Sequence, residues 1–334
     1  MPMIYRDRIY GKLKIEEPVI LELIKSPSLQ RLKGIDQAGY FIYFWPSNIT
    51  IDKPLSRFEH SLGVFILLRN FGASLESQIA GLIHDVSHGV FSHCIDYALD
   101  EGSEREHSYQ DIIFEKFVRD SEIPNILKNY GFDVDYILNE HNFPLLEKSL
   151  PDLCADRIDY ALRTAIVFKE ITQKIVDYFI QNLVVKRDLW IFKNFKSAQK
   201  FAQLFLKLNV LYFAGFPSAL MFRTVGDLLK HALQKDYLSK KDLWTSDKDV
   251  LEKIKRYLDR DEKLKLLFER MNNKIEFKND PKDYDVHVFC KSRIVDPLCR
   301  VNDKIKKVSE INKKWKKIIE QESKPKEYFI KFEK

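Results

Sequence analysis

The sequence predicts a mainly α-helical fold with a small α+β appendage at its C-terminal end. Three observations carry this prediction. Glycine is scarce, 11 of 334 residues, while Leu, Ile, Lys and Glu abound, a composition suited to helices joined by short turns. Apolar residues recur at helical spacing almost without break from Arg57 to about Leu238. Past Asp280-Pro281-Lys282 the pattern changes to short strand-like stretches. We expect a helical domain over residues 1–235 and an α+β region over residues 236–334.

Taken in order, Met1 to Lys12 alternates like a strand and turns at Gly11. Val19 to Ile24, behind Pro18, reads as a helix, and Ser26-Pro27 restarts one over Ser28 to Ile35. Tyr40, Phe41, Tyr43, Phe44 and Trp45 read as an extended stretch ending at Pro46, with a mostly polar loop from Ser47 to Ser56. Helices are expected over Glu59–Phe71, Leu75–Asp85, His107–Val118, Leu153–Val167, Ala198–Phe213 and Ser218–Gln234. Leu183–Lys186 and Leu189–Phe192 should pair through a turn at Arg187-Asp188. Near the end, Val286–Cys290 and Tyr328–Phe332 read as strands flanking a basic helix.

Composition excludes several function classes. There is no GxxxxGK and no GxGxxG, so neither common Gly-rich phosphate loop is present. The net charge of +6 is mild, and Lys304, Lys306, Lys307, Lys313, Lys314, Lys316 and Lys317 supply much of the excess. Such a run is most often a solvated helix face; a nucleic acid or other phosphate-rich partner is the alternative. Cys94, Cys154, Cys290 and Cys299 form no CxxC pair and, with no signal peptide, read as free thiols of a cytoplasmic protein. No apolar run approaches the roughly 20 residues of a membrane span.

The chemistry concentrates in one segment. An even spread of eight histidines would put about one in residues 60 to 107, yet His60, His84, His88, His93 and His107 all fall there. Carboxylates accompany them in Glu59-His60, His84-Asp85 and Asp96. Imidazole and carboxylate together suit first-row divalent metals. A further carboxylate is best supplied by Asp156, which with Asp159, Tyr160 and Arg163 forms a polar stripe at i, i+3, i+4 and i+7. By itself that stripe would read as an internal Asp159–Arg163 ion pair. A single helical histidine, likewise, is more often structural than a ligand; the clustering is what points to a metal.

Three segments then carry a family resemblance: Arg57-Phe58-Glu59-His60-Ser61-Leu62-Gly63, Ile79 through His93 with its central His84-Asp85, and Asp156-Arg157-Ile158-Asp159-Tyr160. They resemble the HD-domain phosphohydrolases, above all the deoxynucleoside triphosphate triphosphohydrolase branch. Gln30 to Gly39 and, more weakly, Phe222-Arg223-Thr224 fit that branch too. The resemblance implies an HD helical bundle holding one divalent ion (Fe, Mn, Zn, Ni or Mg) on His60, His84, Asp85 and Asp156. It implies catalytic roles for His107, His93, His88 and Asp96, with His107 the first choice of proton donor and His93 the second. Gln37, Arg57, Asp159, Tyr160 and Arg163 would bind substrate. The implied reaction converts a (deoxy)nucleoside triphosphate to nucleoside and triphosphate, in a homo-oligomer, dimer or tetramer, with no membrane partner.

Three features depart from the pattern: Ser108 where a Glu commonly follows the histidine, Thr164 in place of an acidic residue that reads the sugar, and a longer loop at Ile49–Pro54. The alternatives are an HD hydrolase for another nucleotide phosphoester, such as a monophosphate, ATP or a signalling nucleotide, or a nucleotide- or nucleic-acid-binding module with a vestigial metal site.

Overall fold

The computed structural model describes residues 2–44 and 55–333, so the end of the expected extended stretch, Trp45 and Pro46, and most of the loop expected over Ser47 to Ser56 lie outside the described residues. The chain opens on an antiparallel hairpin of β1 (Met3–Asp7) and β2 (Gly11–Ile15). Its turn falls on Arg8–Tyr10 rather than at Gly11, because the Asp7 carboxylate accepts from the Ile9 and Tyr10 amides and closes it. α1 (Pro18–Lys25) and α2 (Pro27–Arg31) each begin on a proline, and the Ser26 hydroxyl caps the second. α2 then tightens to a 3-10 turn at Leu32–Gly34, short of Ile35.

The aromatic stretch after Tyr40 is not extended. Phe41–Phe44 forms a 3-10 turn. Aromatic residues favour strands only where a neighbouring strand can pair; here Phe41 is buried and stacks on Phe168 at 5.4 Å instead.

The helical centre consists of α3 (Arg57–Asn70), α4 (Leu75–Ile83), α5 (Tyr109–Arg119), α6 (Ile123–Asn129), α7 (Val134–Leu138), α8 (Ala155–Val167) and α9 (Gln173–Gln181). Every residue of α3 from Arg57 to Leu68 is buried, since α4 and α8 pack against it. That burial explains how a helix carrying Arg57, Glu59 and His60 sits in the core: each polar group must find a partner there. Between α4 and α5 the chain leaves the helical pattern for tight turns and a 3-10 segment at Ser92–Tyr97. Phe91, Ser92 and His107 take positive φ in this interval, so His107 precedes α5 rather than starting it.

β3 (Leu183–Lys186) and β4 (Leu189–Phe192) pair as predicted, with Arg187 and Asp188 both at positive φ in the turn. α10 (Phe195–Leu208) runs into a π-helical turn at Asn209–Phe213, and α11 (Phe216–Gln234) follows. Phe195–Gln234 contains one 18-residue window that is long and apolar enough for a membrane span by length and composition only. Over half of that window is buried inside the fold, and Phe201, Phe205, Leu228 and Leu229 along this stretch are core residues.

Beyond residue 235 come α12 (Asp247–Lys255) and α13 (Glu262–Met271), which the sequence reading did not anticipate. β5 (Phe277–Asn279), β6 (Val286–Cys290), β7 (Leu298–Val301), β8 (Lys304–Lys307), α14 (Val308–Ile311), α15 (Lys313–Glu322) and β9 (Lys326–Phe332) complete the chain. The basic run is thus divided. Lys304, Lys306 and Lys307 lie on β8 and the later lysines on α15, because Asn302 and Asp303 turn the chain back at positive φ.

This region is not set apart from the rest. β7 pairs in parallel with β4, Leu298 opposite Ile191, in the order β3-β4-β7-β8. Ile294, Val295, Cys299 and Trp315 enter one hydrophobic core with α3, α4 and α8. Val288, Cys290 and Ile330 enter a second with α11 and α13. The segment between β6 and β7 therefore bridges two cores.

Candidate active site

Three helix ends place the residues expected to bind metal. His60 lies on the first turn of α3, α4 stops at Ile83 so that His84 and Asp85 leave it in sequence, and Asp156 opens α8. His60 Nε2 is 2.9 Å from Asp156 Oδ1, 3.2 Å from His84 Nε2 and 3.7 Å from Asp85 Oδ2. His84 Nε2 is 3.6 Å from Asp156 Oδ1. Donor atoms of His60, His84 and Asp156 all lie within 4.8 Å of one another.

Both imidazoles are held from behind. His60 Nδ1 donates to Asp159 Oδ2 at 2.8 Å, and His84 Nδ1 donates to the Gly81 carbonyl at 2.8 Å. These acceptors require the proton on Nδ1, which leaves each Nε2 lone pair aimed into the cluster, as metal ligation needs. Charge fits as well. Burial would lower both histidine pKa values, but the carboxylates outweigh it: His60 is raised by Asp156 and Asp159, and His84 is pushed up to about 9 by Asp85 and Asp156. Burial opposes ionisation of Asp156 too, yet hydrogen bonds from His60 and His84 hold it well below the usual range. A cluster this hungry for positive charge suits a divalent cation. Glu147, Cys154 and Asp156 also converge, but burial raises the Cys154 thiol and pushes Glu147 up to about 7. The imidazole set is the better donor set.

Asp85 stands at the junction of metal and substrate groups. Arg57 Nη1 lies 2.9 Å from its Oδ2 and His88 Nε2 lies 3.3 Å from its Oδ1. Arg57 also donates to Ser92 Oγ at 2.9 Å. Beyond His88 the rings follow in series: His88 and His93 centroids are 5.0 Å apart, His93 and His107 5.1 Å. Burial lowers His88 to about 4 and holds His93 and His107 well below their ordinary value, so all three rest neutral.

His93 Nδ1 is 3.5 Å from Asp96 Oδ2. Asp96 stands behind His93, accepts from the Tyr109 amide and is pushed by burial to about 6. His107, with no exposure at all, pairs its Nε2 with the Tyr97 hydroxyl at 2.9 Å.

Two expected substrate contacts are corrected here. Asp159 and Arg163 do not face the cleft. Arg163 bonds Asp159 at 2.8 and 2.9 Å and reaches Asp7 Oδ2 at 3.2 Å, all three side chains fully buried. The pair points from α8 toward α3, where Gly63 makes room: a Cβ there would lie 2.0 Å from Arg163 Nη2 and 2.1 Å from Asp159 Oδ1. The stripe divides, with Asp156 and Tyr160 turned to the cleft and Asp159 and Arg163 to the core.

The metal cluster opens into a cleft of about 360 Å³ that also holds Arg57, His88, His93, Tyr160 and Arg157. An aromatic pocket of about 80 Å³ lies beside it, lined by Phe41, Phe168, Tyr212, Phe213 and Phe222, with Gln37 and Thr164. Arg57, His93, Tyr160 and Arg293 line both. A larger cavity, about 570 Å³, runs along the N-terminal hairpin and contains none of these groups. Sequence reasoning missed Lys291 and Arg293, whose one signal is a pair of charges inside an otherwise apolar stretch.

Comparison with known proteins agrees with this geometry. A profile of the HD domain matches residues 57–164. The chain is 34% identical over 316 residues to the uncharacterised protein YdhJ of Bacillus subtilis, covering 94% of each. The chain belongs to the HD-domain phosphohydrolases. A metal-dependent phosphohydrolase of Cordyceps militaris is 38% identical over 181 residues, 54% of this chain and 50% of that protein. The mouse deoxynucleoside triphosphate triphosphohydrolase SAMHD1 is 32% identical over 148 residues, 38% of this chain and 22% of its own length. A phosphohydrolase structure from Bacteroides thetaiotaomicron superposes with a TM-score of 0.70 at 17% identity, over 99% of this chain and all of that one. A hypothetical protein from Aquifex aeolicus does so at 0.72 and 19% identity, covering 99% and 96%. The chain thus belongs to a family of metal-dependent phosphohydrolases, and His60, His84 and Asp156 are residues fit to hold an ion.

Proposed function

We propose that this phosphohydrolase cleaves (deoxy)nucleoside triphosphates to nucleoside and triphosphate. One observation carries the reading: the metal cleft joins an aromatic pocket through shared Arg57, His93, Tyr160 and Arg293. A polar, cationic chamber beside an aromatic one matches a substrate with a phosphate end and a nucleoside end. The partial likeness to SAMHD1 supports it.

In this reading Asp85 joins His60, His84 and Asp156 around the ion. The ion supplies charge neutralisation at phosphate oxygens and an activated water. Arg57 and His88 orient the phosphate nearest the sugar, since both are fixed on Asp85. His93 delivers the proton to the leaving 5′-oxygen, ahead of His107, because it lines both chambers and has Asp96 behind it. Bound polyphosphate raises its basicity, and Asp96 steadies the imidazolium. His107 backs the His93 ring. Tyr160, Gln37 and Thr164 border the sugar, and Thr164 lacks the charge with which a carboxylate would grip a 3′-hydroxyl. We place the work in the cytoplasm, in line with four buried free cysteines.

The test incubates metal-loaded protein with dNTPs, NTPs and nucleoside monophosphates and identifies the phosphate product. Triphosphate plus nucleoside is expected, with at most a moderate preference for deoxy over ribo sugars. Orthophosphate as the primary product, or turnover confined to monophosphates, overturns the reading.

A further inference from the structure

Arg57 and Arg157 line the metal cleft with acceptors already in hand. Arg57 is fixed by Asp85, Ser92 and the Gln37 carbonyl, and Arg157 by Glu147 at 2.8 Å and by Cys154. Lys291 and Arg293 differ. Both line the cleft, and neither makes an ion pair with any carboxylate among the described residues. The one side-chain bond of Arg293 goes to the Lys291 carbonyl at 3.3 Å. The carboxylates of the same chamber do not pair with them: Asp85, Asp156 and Glu147 are engaged by Arg57, His60 and Arg157, and Asp111 acts on Lys291 without a direct ion pair. Two half-buried cations so placed favour the arrival of an anion.

Their placement is enforced by the fold. Cys290, just before them, is fully buried in the second core, and Ile294 and Val295, just after, are buried in the first. The three residues between cannot move with either core alone. Asn209, fully buried at the start of the π-helical turn, clamps the middle: its Nδ2 donates to Ser292 Oγ at 2.9 Å and its Oδ1 accepts the Arg293 amide at 2.8 Å. Single π-turns recur at functional sites because they re-aim groups that a regular helix would hide. On the far side the Asp296 amide donates to the Pro151 carbonyl at 2.7 Å. The loop is anchored at both ends and at its centre, while its two cations remain free to bind.

We infer that Lys291 and Arg293, carried by the β6–β7 segment, are the residues that grip the outer phosphates of a polyphosphate substrate and make the enzyme select triphosphate over monophosphate. The inference rests on the phosphohydrolase site described above and deepens the proposed nucleotide reading. Arg293 borders both chambers, so it reaches the phosphates nearer the nucleoside, while Lys291 lines only the metal cleft and takes those farther out. Guanidinium matches phosphate oxygens in a two-pronged fashion, and the ammonium adds a compact point charge. Burial and then the neighbouring Arg293 charge lower Lys291 to about 8, against the opposing pull of Asp111 and Glu106. Residues beyond 235 thus complete a site whose metal ligands all lie before residue 164.

The test uses the full metal-loaded chain and its K291A, R293A, R293K and K291A/R293A variants. Inorganic triphosphate and inorganic phosphate are titrated calorimetrically, with thermal unfolding and metal content checked in parallel. Each single alanine variant should weaken triphosphate binding about 10-fold to 100-fold, the usual worth of a charge-assisted contact, with little change for orthophosphate. R293K should recover part of the loss, and folding and metal content should match wild type. The inference is overturned if wild type binds triphosphate no better than phosphate, or if the folded, metal-replete double variant keeps wild-type affinity. Since no turnover is measured, the result is separate from the identity of the nucleotide. A protein that fails to cleave dNTPs yet loses triphosphate affinity in these variants would refute the proposed reaction and keep this assignment.

Discussion

His60 Nδ1 and Asp159 Oδ2 meet at 2.8 Å in the fully buried interior. That contact joins the metal cluster to the core. Asp159 is also bound by Arg163, and Arg163 by Asp7 of the N-terminal hairpin, so a chain of buried charges runs from β1 to His60 Nδ1, on the far side of the ring from its metal-facing Nε2. The arrangement converts an α8 carboxylate from a substrate contact into the group that sets a ligand's tautomer.

Asp159→Ala should damage both stability and metal binding. It leaves Arg163 buried with Asp7 alone, a loss of about 3–5 kcal/mol for a broken buried pair. It also frees the His60 ring, for which a 10–100-fold loss of metal affinity is typical. Urea denaturation and metal titration read the two effects. A variant that keeps wild-type values in both would show the contact to be incidental.

His84→Ala, Asp85→Ala and Asp156→Ala should lose bound metal and activity while unfolding cooperatively like the parent. Each removes one of a small donor set; Asp85→Ala also takes the carboxylate from Arg57 and His88, but Arg57 keeps Ser92 and the Gln37 carbonyl and His88 keeps its ring contact with His93. Metal content by mass spectrometry decides the matter: stoichiometric metal and normal turnover in the Asp85 variant would remove it from the shell.

Acid should weaken the fold in part through His107. Burial holds its pKa well below the ordinary 6.5, so below about pH 6.5 the unfolded chain takes up a proton that the native ring refuses. The unfolded state then binds more protons, and stability falls as pH falls, by up to about 1.4 kcal/mol per pH unit for one such group. Asp36 and Asp96, pushed by burial to about 6, act in the opposite sense between about pH 4 and 6, so the comparison must be with a variant. His107→Asn should flatten the slope of stability between pH 6.5 and 5.5. An unchanged slope in urea titrations would mean that the ring protonates in the native state.

GTP should not act as an activator through the Lys25–Lys33 segment. Reading guanine's donor edge calls for a carboxylate, and Lys25 offers donors only. Gln30 cannot substitute, because its amide nitrogen donates to the Ile24 carbonyl and its oxygen accepts from Lys33, each at 2.6 Å. Initial rates and oligomer mass should be unaltered by added GTP. A large GTP-dependent rate increase coupled to assembly would contradict this.

Much of the site could be read from spacing alone. Histidines packed into residues 60 to 107, a His-Asp pair at the end of one helix and Asp156 at the start of another are local facts, and helical periodicity put each on its element. The β3–β4 hairpin was legible for the same reason, since a two-residue turn between apolar runs is complete within ten residues. Three decisions were made only by the tertiary structure. Phe41–Phe44 curled because Phe41 had a stacking partner in Phe168 and no strand among the described residues pairs with it. Asp159 and Arg163 turned inward because Gly63, a hundred residues away on α3, left the space for them. Lys291 and Arg293 reached the cleft because the residues on either side belong to different cores. Periodicity reports which face of an element is apolar; it carries no information on what that face will meet, and it is the meeting that decides whether a charge becomes a strut or a binding group.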